Sequence, residues 1–189
     1  SKVRLWTEED GARTYASGFS GLGNITMDKN GFLVVTDRSQ NLVYRISKDG
    51  LSNTIIAGDG SRLSKGNEGY QATDNALFGV RGVWFLDDNS YFVATHEGSQ
   101  IWYIDTAGWM HLFLNGADGD EFHSGDGEDY RTPGYKISEP RSVSVDFDGN
   151  VIITENDNGF IRKIENDYTY YYTSMINYLI EDQGISVYP

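Results

Sequence analysis

The chain has no cysteine, only three histidines and few basic residues. The missing cysteine excludes a disulfide framework, thiolate metal sites and a cysteine nucleophile, and leaves the compartment open. Lys and Arg number 15 against 28 Asp and Glu, a formal net charge of −13. No basic stripe is present to neutralise a phosphate backbone, so nucleic acid is not an expected partner. The acidity suits a solvated surface with some affinity for cations or neutral ligands. His96, His111 and His123 fall in no His-x-His or His-Glu-x-x-His spacing, so no local zinc site is read. The absence of a Gly-x-Ser-x-Gly elbow removes the simplest serine-hydrolase reading. Gly58-Asp59-Gly60 and Gly125-Asp126-Gly127 are not phosphate loops, since neither opens a helix after a strand. No apolar run approaches the roughly 20 residues that span a bilayer. A secretory leader is also missing, but the abrupt start at Ser1 reads as a mature or trimmed terminus, so this says little about location.

What the chain does have is a repeat. Gly31-Phe-Leu-Val-Val-Thr36-Asp37, Ser90-Tyr-Phe-Val-Ala-Thr95-His96 and Asn150-Val-Ile-Ile-Thr154-Glu155 are three copies of one pattern, with their threonines 59 residues apart. Self-similarity at such a period means stacked supersecondary units. Within 189 residues, 39% hydrophobic and 14% aromatic, one sizeable core suffices. Long helical periodicity is absent. Each repeat resolves into four short strands. They are Asn24–Asp28, Phe32–Thr36, Leu42–Ser47 and Asn53–Ala57 in the first, and Arg81–Leu86, Tyr91–Thr95, Gln100–Asp105 and Met110–Leu114 in the second. The third gives Arg141–Phe147, Val151–Thr154, Phe160–Glu165 and Tyr170–Met175. The second strands are apolar on both faces, so each lies in a sheet covered on both sides. Sheets stacked face to face around an axis supply that cover; a sandwich would leave one face wet. The predicted fold is all-β, a β-propeller of four-stranded blades.

The expected organisation is a half blade over 1–19, whole blades over 20–77, 78–138 and 139–177, and a tail over 178–189. That is about three and a half blades, whereas complete propellers have four to eight. The Gly-rich connections 58–77 and 115–138 are either functional or spacers on one rim.

Several segments resemble NHL-repeat propellers of the bacterial type. Gly69–Val83 is similar to that family's blade junction, an "ATxAxL" segment leading into a "P-x-G-V" strand start. Glu139–Val151 repeats the start and adds a "D-x-D-G-N" turn. Asn158–Ile164 resembles its "N-x-x-I-R-K-I" strand, and His123–Gly127 its "YSGDGG" loop. The resemblance covers residues 1–175. It implies a six-bladed fold that mostly serves as a binding platform, with a minority of related metal-dependent lactonases and lyases. It also suggests a bacterial extracytoplasmic setting. A three-and-a-half-blade chain would then be part of a longer protein or half of an assembly, its partner being the missing half of its own propeller. Alternatively, the tail, with Ile185–Tyr188 as a strand, closes a smaller ring.

Candidate sites follow from matching positions. Asp37, His96 and Glu155 each follow the repeat threonine and are expected on one face near the ring's mouth. Arg81 and Arg141 match each other where the first repeat has Gly23. Such a set suits an anionic or polyhydroxyl ligand, since Arg forks pair with planar anions; Arg81 pairing with a neighbouring blade's acid is the alternative. The acidic loop Asp118, Asp120, Glu121, Asp126, Glu128 and Asp129 is the densest group of oxygen ligands; it is either a simply solvated acidic loop or a site for calcium, the cofactor it would suit. Asp146-Phe147-Asp148-Gly149-Asn150 is read as a hairpin turn rather than a calcium loop. The strand tryptophans Trp6, Trp84 and Trp102 are expected in the inter-blade core. Turn and outer-strand aromatics, Trp109 and Tyr130 among them, are expected to pack or to contact a sugar or protein. The expected function is a non-catalytic binding module for a protein or glycan, with the metal-dependent enzyme as its rival.

Overall fold

Turn chemistry sets where the strands begin and end. The Asp28 carboxylate accepts the amides of Asn30 and Phe32, and Asp146 accepts those of Asp148 and Asn150. Each turn closes through a left-handed residue: Gly31 at φ +79°, Asn89 at +71° and Gly149 at +83°. Glycine meets this demand without strain, and asparagine tolerates it.

The computed structural model describes residues 1–62, 65–117, 130, 134, 137–155 and 159–165. The strands are β1 (Lys2–Thr7), β2 (Gly11–Ser17), β3 (Leu22–Met27), β4 (Leu33–Asp37), β5 (Leu42–Ile46) and β6 (Asn53–Ala57). After a single 3-10 turn at Ala72–Asp74 come β7 (Val80–Phe85), β8 (Tyr91–Thr95), β9 (Gln100–Ile104), β10 (Met110–Ala117), β11 (Ile137–Ser138), β12 (Pro140–Val145), β13 (Val151–Glu155) and β14 (Phe160–Ile164). They form four sheets, β1-β2, β3-β4-β5-β6, β7-β8-β9-β10-β11 and β12-β13-β14. All neighbours are antiparallel except β11, which runs parallel to the end of β10. β10 extends past the expected Leu114 because Gly116 and Ala117 pair with Ile137 and Ser138. Among the described residues no helix is long and apolar enough to cross a membrane.

The sheets stack face to face as propeller blades. Val34 and Val43 of the first four-stranded sheet share a core with Val83, Val93 and Trp102 of the next. The opposite face of that second sheet, through Phe92, Ala94, Ile101 and Tyr103, packs on Val143, Val151 and Ile153 of the third. The β1-β2 hairpin covers the other side of the first through Val3, Ala16 and Phe19 against Val35 and Ile46. Every residue of β8 and β9 is buried, as two-sided cover requires. In β13, Ile152 and Thr154 are half-buried. Of the tryptophans expected in the core, Trp102 is there at 1% exposure, but Trp6 is 69% and Trp84 38% exposed. Alternation along β1 explains Trp6, since Val3 takes the buried face and leaves Lys2, Arg4 and Trp6 on the other.

The inner strands β3, β7 and β12 lie side by side in order. Glycine permits the approach. A Cβ on Gly82 would stand 2.9 Å from both Ser142 Cα and Val143 N. Thr36 Oγ1 ties two blades, accepting from Asn24 N and donating to Arg81 O, both at 2.8 Å.

Each inner strand carries a β-bulge near one rim, and the second blade's register differs there. Leu22 stands opposite Asp37 and Pro140 opposite Glu155, but Val80 stands opposite Thr95. The cause is one extra residue in the second blade. Ser90, whose carbonyl closes the turn, lies five residues before Thr95, while Phe32 and Asn150 lie four before Thr36 and Thr154.

Candidate functional site

Strand direction brings the start of each first strand, the end of each second strand and the start of each third strand to a single rim. Asp37 and Glu155 sit there, fully buried. Asp37 accepts the amides of Ser20, Gly21, Ser39 and Gln40 and the Gln40 side chain. Burial alone would raise its pKa, but these hydrogen bonds outweigh it and hold the carboxyl below the usual range. Glu155 accepts the Ser138 amide at 2.9 Å and pairs with Arg162 Nε. Ser20 and Ser138 hold the same place in the segments leading into their blades. Both carboxylates therefore tie down the backbone that enters the sheet.

His96 differs from them. It lies just outside β8, one place beyond the rim position of Asp37 and Glu155, because of the extra residue described above. The three are on one rim but not in one register. Freed from capping its own blade's lead-in, a role that Asn41 Oδ1 takes by accepting Gly79 N at 2.9 Å, His96 faces two acids instead. Its Nδ1 is 3.5 Å from Glu97 Oε2, and its Nε2 is 3.8 Å from Glu139 Oε2. Arg81 Nη2 lies 4.0 Å from Glu97 Oε1. Arg81 is the bulged residue of β7, and Arg141 takes the corresponding position in β12. Glu97 folds over Gly79, whose missing side chain makes room for the carboxylate.

Two residues at this cluster are in left-handed backbone, and one of them, Ser99, shares that conformation with Asn41 and Gly159 at the same turn of the other blades. Glu139 has φ +45° and Ser99 φ +53°, in the region that favours glycine. The two are joined by a hydrogen bond from Glu139 N to Ser99 Oγ at 3.2 Å. Ser99 N in turn donates to His96 O at 3.0 Å. The preceding blades carry Gly21 and Gly79 at the place of Glu139. Strain of this kind persists only where the surroundings enforce it, and it gathers at functional sites.

Neither Glu97 nor Glu139 is among the residues singled out from the sequence. A signal was there in Glu139: an acid where the matching positions hold glycine. The proposed calcium ligands Asp118, Asp120, Asp126 and Glu128 lie outside the described residues. Among the described residues, no group of three His, Asp or Glu is disposed to hold a metal ion. Asp146 is engaged in its own turn, accepting from the Asn150 amide and side chain.

A second cluster lies on the outer side of the second blade. His111 Nδ1 is 3.0 Å from Glu68 Oε1, and its Nε2 is 3.1 Å from Asp105 Oδ2. Burial works against charge on His111, but the hydrogen bonds and charges of the two acids prevail and raise its pKa to about 9. Glu68 also accepts the Leu112 amide, and Asp105 those of Ala107 and Trp109. The cluster clamps the long connection before β7 onto β10. All of these carboxylate oxygens are already occupied, so it reads as a fastening rather than a ligand site.

No protein-family model matches the chain, and no curated protein does. Solved structures do match. A protein of unknown function from Bacteroides thetaiotaomicron aligns at a TM-score of 0.68 and 15% identity over 86% of this chain. An auxiliary nutrient binding protein from the same organism aligns at 0.65 and 14% over 87%. The fold is a β-propeller. A third match, virginiamycin B lyase from Staphylococcus aureus, gives a TM-score of 0.55 at 16% identity. At such identities the likeness speaks for the fold alone. The propeller chain spans 41%, 43% and 48% of the lengths of these three structures, less than half of each.

Proposed function

We propose that the chain is a non-catalytic binding module on an NHL-type, six-bladed propeller, taking a protein or glycan ligand at the rim between its second and third blades. Arg81 and Arg141 would donate, Glu97 and Glu139 accept, and His96 stand between the two acids. A ligand with several hydroxyls suits alternating donors and acceptors better than a simple anion does, because two carboxylates flank the site. The observation that carries this reading is Glu139, held in a left-handed backbone beside His96 where the other blades have glycine. The NHL and six-bladed assignments rest on the junction and turn segments described above. A bacterial extracytoplasmic setting is supported by the named role of the nutrient binding neighbour.

The test is a glycan array and a peptide panel probed with the intact protein, then repeated with Arg81→Ala and Glu139→Gln. Binding that falls at least tenfold in both variants, with the melting temperature kept, supports the reading. Binding unaffected by either substitution would sink it. A divalent ion bound stoichiometrically at the rim, with turnover of a lactone, would replace it with the enzyme reading.

A further inference from the structure

Trp84 belongs to the innermost strand of the second blade and stands on the side that the third blade covers. Register shows this, since Gly82 opposes Ala94 and Trp84 opposes Phe92. Directly opposed residues of an antiparallel pair share a face. Phe92 and Ala94 pack on Val143, Val151 and Ile153 of the third blade. Their cover is complete, at 1% and 0% exposure, whereas Trp84 keeps 38%. The two blades that enclose this face are both in place. The exposed part of the indole therefore looks toward the axis along which β3, β7 and β12 lie side by side. Among the described residues the indole makes no hydrogen bond and no ring contact.

The other blades fill this place differently. Counted back from the turn, the residues matching Trp84 are Thr26 in the first blade and Ser144 in the third, both small, hydroxylated and half-buried. Trp84 also shares β7 with Arg81 of the rim cluster. At about 3.3 Å per residue the two lie roughly 10 Å apart along the strand, a distance that a disaccharide spans. Charge narrows the ligand further. Arg81 and Arg141 repel a cation, and Glu97 and Glu139 repel an anion, so the rim suits a neutral molecule with many hydroxyls. An indole face is the negative side of its quadrupole. The C–H bonds on one face of a pyranose present it with a weakly positive, apolar surface.

We propose, on the basis of the rim binding site put forward above, that Trp84 is the ring-stacking platform of that site and that its ligand is a neutral oligosaccharide. One pyranose lies on the Trp84 indole beside the axis. The hydroxyls of the next unit reach Arg81 and Glu139 at the rim. The ligand class narrows from protein or glycan to a saccharide of at least two units.

Neutral disaccharides and longer oligosaccharides, presented to the intact protein beside a peptide panel, test this. Trp84→Ala should weaken saccharide binding about tenfold with the melting temperature kept. Trp84→Phe preserves an aromatic ring and should retain most of the affinity. Saturating saccharide should shift the tryptophan emission of the unaltered protein, and Trp84→Phe should abolish that shift. Trp109→Phe, which alters an exposed indole at the turn before β10, should leave shift and affinity alone. Saccharide binding lost in Arg81→Ala but untouched in Trp84→Ala overturns the stacking and leaves the rim site standing. An emission shift that survives in Trp84→Phe overturns it too. Binding lost in Trp84→Ala but untouched in Arg81→Ala supports the stacking and overturns the rim site. Binding of peptides with no saccharide retained overturns the ligand class.

Discussion

The Oε2 atom of Glu155 holds the backbone amide of Ser138 at 2.9 Å, and Asp37 holds that of Ser20 at 2.6 Å two blades away. Both carboxylates bind the lead-in of their own blade from the end of its second strand. Asp37→Ala leaves several amides without their acceptor and is expected to cost about 3 kcal/mol, against about 1 kcal/mol for Asp37→Asn. Urea unfolding measures both. The Asp37 carboxyl titrates below its ordinary value, so its contribution is present above the unfolded pKa near 3.8 and is lost as pH falls through the folded value. The difference between unaltered protein and Asp37→Asn should therefore shrink on acidification.

His111 works in the opposite direction. Its pKa is raised to about 9 from 6.5, so its contribution is complete below pH 6.5 and is lost as pH rises through about 9. His111→Gln should lower stability at pH 6 by about 1–2 kcal/mol, discounted for the exposure of Glu68, and by little at pH 10. Thermal melts across that range decide the matter. A difference that stays flat from pH 6 to 10 would show the clamp to be packing alone.

Gly82→Ala places a methyl against the backbone of Ser142 and Val143, neither of which can swing aside as a flexible side chain would. A loss of about 1–3 kcal/mol is expected, with faster amide exchange in β12 as well as β7. Unchanged exchange in β12 would mean that the two inner strands are not pressed together.

Glu139→Gly removes a left-handed strain that Gly79 avoids in the second blade. It should raise stability by about 1 kcal/mol while weakening ligand binding, a trade familiar at functional sites. If stability falls instead, the carboxylate serves the fold and not a ligand.

The stacking of the blades was legible because Val34, Val35, Phe92 and Val93 leave no wet face along their strands, and alternate residues then report two different cores. The Asp28 and Asp146 turns could be read from local chemistry alone. The register at the rim could not. The threonines keep an even spacing, which hides the longer run from Ser90 to Thr95 and makes His96 look like a copy of Asp37 and Glu155. Trp6 and Trp102 both sit in strands with apolar neighbours, and only the pairing of β1 shows which one points outward. For the candidate site, Arg81, His96 and Arg141 drew attention by residue type and position. Glu139 matters through its backbone angle, which a residue list conceals.

The longer run in β8 has a further consequence for anyone recombining these blades. Asp28, Leu86 and Asp146, where the turns begin, are 58 and 60 residues apart, while the threonines are 59 and 59. Cutting and rejoining at the threonines would mix two frames and set a foreign first strand one pair out of step with its neighbour. Cutting at the turns would carry each hairpin whole, bulge and rim contacts included. The second blade is thus not a spare part for the other two, and a chain built from three identical copies of it would lack the carboxylates that hold Ser20 and Ser138.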